Sequence, residues 1–111
     1  MKIAFDVDDT LIIPSVATGF GRDTPNYETI AIFRWFQAQG HDMIIWSGSG
    51  VDYARTWAEK LGLKADVRVK AVSADVDIAF DDMSSASLGK VNVKVRRINN
   101  SASRKEWNES K

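Results

Sequence analysis

The sequence predicts an α/β fold, a three-layer α/β/α architecture around a mainly parallel sheet. Three observations predict it. Short apolar runs alternate with helix-length amphipathic stretches along most of the chain. The order reads strand, loop, helix, strand, helix and then three strands, and strands separated by helices favour parallel pairing. Three of the apolar runs end in polar groups, at Asp6, at Ser47 and at Asp81–Asp82.

Residues 2–7, "KIAFDV", form a short buried strand. Residues 11–23 are a loop punctuated by Pro14, Gly19 and Gly21. Thr24 followed by Pro25 reads as a helix start, with Thr as N-cap and Pro at the first helical position. That helix runs to about Gln39, carries Tyr27, Ile30, Phe33 and Phe36 at helical spacing, and ends at Gly40. "DMIIWS", 42–47, is a second strand, bounded by glycines. A second helix covers roughly Val51 to Leu61 and closes at Gly62. "ADVRVKA", 65–71, and "VDIAFDD", 76–82, are further strands. "KVNVKVRR", 90–97, alternates Val91, Val93 and Val95 with polar residues, the pattern of a half-exposed edge strand. Trp35, Trp46 and Trp57 fall on core-like faces. His41, Asp75 and Asp77 read as surface or turn residues.

A chain of 111 residues holds one core and not two. The expected organisation is a single domain over 1–98, with a short flap at about 12–23, and a polar tail over 99–111. There is no cysteine, so disulfides, thiolate metal sites and cysteine nucleophiles are excluded, and one histidine makes no multi-histidine metal site. The opening "MKIAFDVDDT" has no long apolar segment and no run approaches the length of a membrane span. A soluble, cytoplasmic protein with no membrane partner is therefore expected. Formal net charge is zero, which gives the whole molecule no bias toward nucleic acid.

In open sheets of this kind, ligands sit beyond the carboxyl ends of the strands. Asp6, Ser47 and the pair Asp81–Asp82 all belong to that edge. Carboxylates gathered from two strand ends repel and raise one another's pKa. A hard cation removes the conflict, because Mg²⁺ takes a few carboxylate oxygens together with water and phosphate oxygens. Asp6 and one of Asp81 or Asp82 can supply such ligands. Ser47 and the backbone N–H groups of "SGSG", Gly48 among them, stand at a helix start and suit phosphate oxygens. A lysine completes the charge balance; Lys70, Lys64 and Lys60 are the candidates.

"DVDDT", residues 6–10 after an apolar strand, resembles the DxDxT motif of the haloacid dehalogenase superfamily. Ser47 after "MIIW" resembles that family's second motif, and "DIAFDD" its fourth; the three stand in the family's order. The resemblance covers roughly residues 1–82 and implies a Rossmann-like domain that acts as a Mg²⁺-dependent phosphatase. Asp6 would be the nucleophile that forms an aspartyl-phosphate. Asp8 would be the general acid and base and would offer its backbone carbonyl to the metal. Thr10 would brace the turn, and Ser47, Gly48 and Lys70 would hold phosphate. Asp82 would complete the metal ligands with Asp6 and Asp8, and Asp81 would support the lysine. The family leaves the position of Asp9 free. A phosphotransferase would present the same residues.

Members of that family often carry a cap domain. One helix takes up much of the interval between Asp6 and Ser47, and another fills that between Ser47 and Lys70, so no cap fits. Only the loop 12–23 can cover the site, with Phe20 and Arg22 as substrate contacts. An open site points to a phosphorylated macromolecule, or to a homo-oligomer in which one subunit covers another around a small phosphate ester. From Met83 to Lys105 there is no acid, while Lys90, Lys94, Arg96, Arg97, Arg104 and Lys105 are present. Such charge guards a sheet edge against aggregation. The competing reading is a surface for nucleic acid or a protein partner.

Overall fold

The computed structural model describes residues 1–15, 23–83 and 87–97. The main sheet has five strands: β1 (Lys2–Asp6), β4 (Asp42–Ser47), β5 (Asp66–Val69), β6 (Ile78–Asp81) and β7 (Val91–Lys94). Their spatial order is β5-β4-β1-β6-β7, and every neighbouring pair is parallel. Two helices, α1 (Tyr27–Ala38) and α2 (Val51–Leu61), connect β1 to β4 and β4 to β5. The predicted α/β class and parallel sheet hold, with no further domain among the described residues.

The period-two alternation of the strands divides the apolar residues into two clusters. Ile3 and Phe5 of β1, Met43 and Ile45 of β4 and Phe80 of β6 meet Ile30 and Phe33 of α1 and Ala54 and Ala58 of α2. Phe5 stacks on Phe80 with ring centroids 4.4 Å apart and meets Phe33 edge-on at 5.2 Å. On the other face Ala4, Ile44, Trp46 and Ala79 form a smaller cluster with Val76 and the partly buried Leu88. Connecting segments close that cluster: a Cβ on Gly89 would stand 3.2 Å from the backbone of both Val76 and Ala79.

The first loop departs from the sequence expectation. Ile12–Ile13 (β2) and Thr24–Pro25 (β3) pair as an antiparallel ribbon, with Ile12 opposite Pro25 and Ile13 opposite Thr24. The ribbon closes the base of the predicted flap; Phe20 and Arg22 lie outside the described residues. Thr24 and Pro25 thus do not start the helix. Asn26 caps it, its side chain accepting from the Thr29 N–H at 3.5 Å. Asn is as good a cap as any residue, and the fixed φ of proline suits an extended edge as well as a first helical turn.

Two aromatic expectations also fail. Trp35 is 58% exposed and Tyr27 74%. The buried stripe of α1 is Thr29, Ile30 and Phe33, and Trp35 lies about 200° round the helix from Phe33. The other boundaries are close to expectation. Gly40 follows α1 with φ 85°, and Gly62 closes α2 in the left-handed region. β7 is an exposed edge strand, and Val95 just beyond it packs on the core. The predicted tail 99–111, with Arg104 and Lys105, lies outside the described residues. No helix among the described residues is long and apolar enough to cross a membrane.

Candidate metal centre

Three parallel strands deliver the site. β1 is flanked by β4 and β6, and Asp6, Ser47 and Asp81 are the last residues of β1, β4 and β6. Their burial follows from this central position: Asp6 is 5% exposed, Asp81 3%, Asp82 8% and Ser47 4%. Asp6, Asp81 and Asp82 each offer one carboxylate oxygen within 4.8 Å of the others.

One ammonium serves this cluster. Lys70, just after β5, places Nζ 3.2 Å from Asp6 Oδ1 and 2.6 Å from Asp81 Oδ2. The contact with Asp81 is the shorter of the two, and it is the partner of that buried oxygen. The other oxygen of Asp81 accepts from the Met83 N–H at 2.9 Å. Lys64 and Lys60 are exposed and away from the acids; Lys60 lies over the Trp57 ring. Asp82 takes its charge from elsewhere. Arg97 Nε donates to Asp82 Oδ2 at 2.8 Å and stands 3.9 Å from Asp9.

The electrostatics record an excess of negative charge. Burial, and then the neighbouring Asp81, push the Asp6 carboxyl up to about 7, against the pull of Lys70. Burial opposes the charge on Lys70, but Asp81 and Asp6 outweigh it and hold the ammonium above its ordinary range. Three buried carboxylates face two cations, Lys70 and the half-exposed Arg97, which leaves the site short of positive charge. The donors are all hard oxygens at close mutual range. That set fits a metal ion.

The turn after β1 arranges the remaining residues. The Val7 carbonyl accepts from the N–H groups of Thr10, Leu11 and Ile12 at 3.2, 2.9 and 3.1 Å. Thr10 is fully buried and its hydroxyl has no hydrogen-bond partner among the described residues, where the turn is braced by backbone bonds and packing. Asp9 adopts φ 59°, a left-handed conformation that aspartate tolerates better than most residues. Burial, and then Asp82, hold its carboxyl above the usual range, so it is less of a bystander than its sequence position suggests. Asp8 stands apart from the metal cluster: its Oδ1 accepts from the Tyr53 hydroxyl of α2 at 2.6 Å.

The loop after β4 leads into the start of α2. Ser47 Oγ accepts from the Ser49 N–H at 3.0 Å, which leaves its own proton for another acceptor. Gly48 is exposed beside it. Gly50, the N-cap of α2, has φ 107° and so no side chain to cap the helix; the N–H end of α2 is left without one.

The sequence did not reveal Arg97 as a partner of Asp82 or Tyr53 as a partner of Asp8. Both contacts join distant segments through side-chain reach, which no periodicity encodes. No protein-family model matches the chain, and comparison with curated proteins and with solved structures yields no match. What stands on geometry alone is a small α/β domain whose five-stranded parallel sheet ends in a buried acidic triad able to hold a metal ion.

Proposed function

We propose that this chain is a capless, Mg²⁺-dependent phosphohydrolase of the haloacid dehalogenase type. The observation that carries the reading is the meeting of Asp6, Asp81, Asp82 and Lys70 at the carboxyl edge of the sheet, with Ser47 on the neighbouring strand. A bound Mg²⁺ supplies neutralising charge to the carboxylates and to the phosphoryl oxygens. Asp6 and Asp82 would hold it through their side chains and Asp8 through its backbone carbonyl. Asp81, already engaged by Lys70 and the Met83 N–H, supports the lysine.

Phosphate oxygens are held by the Ser47 hydroxyl, the Gly48 backbone and the Lys70 ammonium. An Asp6 oxygen forms a bond to phosphorus while the ester P–O bond breaks, giving an aspartyl-phosphate. Asp8 gives its proton to the departing oxygen, which leaves as an alcohol. The Asp8 carboxylate then takes a proton from water as that water attacks phosphorus. Inorganic phosphate departs and Asp6 is regenerated. The substrate is a phosphate monoester, small or macromolecular, and with no cap a second copy of the chain is one means of covering the site.

The test is hydrolysis of 4-nitrophenyl phosphate with Mg²⁺. Activity should vanish with EDTA and in D6N; activity that survives either sinks the mechanism. Release of inorganic phosphate separates hydrolysis from transfer to another acceptor. A second reading rests on Lys94 and Arg96, exposed and without ion pairs among the described residues. They suit an interaction module that contacts nucleic acid or a protein partner. An inactive protein with salt-sensitive nucleic-acid binding, lost in an R96A/R97A/R104A variant, would favour it.

A further inference from the structure

We propose that Tyr53 is a positioning residue for Asp8: its hydroxyl pins one carboxylate oxygen so that the other carries the proton delivered to the leaving group. This rests on the general-acid role of Asp8 given above.

Tyr53 lies in the first turn of α2, directly after the loop that begins at Ser47. Its hydroxyl donates to Asp8 Oδ1 at 2.6 Å. The bond ties the turn after β1 to the helix after β4, two segments that leave neighbouring strands in register at Asp6 and Trp46. Both side chains are half-buried. The phenol hydroxyl is the donor of this bond, since a carboxylate oxygen only accepts. Asp8 Oδ2 has no partner among the described residues.

This asymmetry assigns the two oxygens. A proton on Oδ2 leaves Oδ1 a carbonyl oxygen, which still accepts from Tyr53. The bond therefore survives both protonation states of the cycle and fixes the carboxyl torsion throughout. The terminal torsion of an aspartate is otherwise broad and roughly two-fold. Loss of the hydroxyl frees the carboxyl to turn, and proton delivery is sensitive to such misplacement.

The experiment compares kcat/KM for 4-nitrophenyl phosphate and phenyl phosphate in the wild type, Y53F and D8N. Nitrophenolate leaves with little need of a proton, whereas phenolate needs one. General acid catalysis contributes about 10²–10⁴-fold, so Y53F should lose about ten-fold or more on phenyl phosphate and little on 4-nitrophenyl phosphate. D8N should show the larger form of the same split, and D8N/Y53F, which removes the donor and the charge together, should not widen it. Equal losses on both esters in Y53F, no loss on either, or a wider split in the double variant would overturn the role of Tyr53. A wild type that hydrolyses neither ester in an Asp6-dependent way would instead overturn the reading of the site.

Discussion

Two groups of carboxylates and cations lie in the same sheet and behave oppositely. Around the amino ends of the strands, Asp75 meets Lys2 and Arg68 at 3.0 Å, Arg68 also meets Asp66 at 2.8 Å, and Asp77 accepts from the Lys2 N–H at 2.8 Å. The Ser73 hydroxyl, then Lys2 and Arg68, hold the Asp75 carboxyl well below the usual range. At the carboxyl ends, Asp6 is pushed up to about 7. The residue types are alike. What differs is burial and the ratio of cations to acids. At the amino ends Asp77 also meets Lys90 at 3.4 Å, so each of these acids has a cation in reach, and such solvent-accessible pairs contribute little to stability. Buried acids that outnumber their cations are costly, and the missing positive charge is what a metal ion would bring.

The sharpest way to break this contrast is D6N, expected to lower phosphate-ester hydrolysis by about three orders of magnitude or more while the metal-free protein melts no lower than the wild type. Next is K70M, which leaves the buried acids without their ammonium. Removing one partner of a buried pair costs about 3–5 kcal/mol, so its melting temperature should fall clearly at pH 8 and less at pH 5, where Asp6 takes up a proton. A fall of the same size at both pH values would mean that Lys70 acts through packing.

Asp6 also sets a pH dependence. Its folded-state carboxyl titrates near 7, above the unfolded value near 4, so the native state holds the extra proton between them. Stability of the metal-free protein should therefore decline as pH rises through that window, by at most one proton's slope, about 1.4 kcal/mol per pH unit. Chemical denaturation across pH 4–8 in EDTA reads the slope, D6N should flatten it, and a slope unchanged in D6N would assign it elsewhere. The smallest effect belongs to the other group: D75N, at moderate salt, should leave the melting temperature within measurement error and activity unchanged.

The legible parts of this molecule were those with a local physical cause. β1 and β4 are apolar runs and α2 is an amphipathic stripe closed by Gly62, and the ends of β1 and β4 place Asp6 and Ser47 at one edge by topology alone. Thr24–Pro25 was misread because its residues satisfy two local rules at once, and ribbon pairing with Ile12–Ile13 decided between them. Trp35, expected on a core-like face, faces water because the buried stripe of α1 runs through Thr29, Ile30 and Phe33. The choice among three lysines needed the reach of Lys70 across the sheet edge. Arg97 was read as part of a basic strand, and only the return of the chain past β7 brings it onto Asp82.

The most direct test of the account is a Mg²⁺ titration of the protein at pH 8, followed by calorimetry. The account predicts saturable binding of one ion in the wild type, weakened sharply in D82N and retained in D75N. No binding in the wild type, or equal binding in D82N, would contradict a metal site in the buried triad.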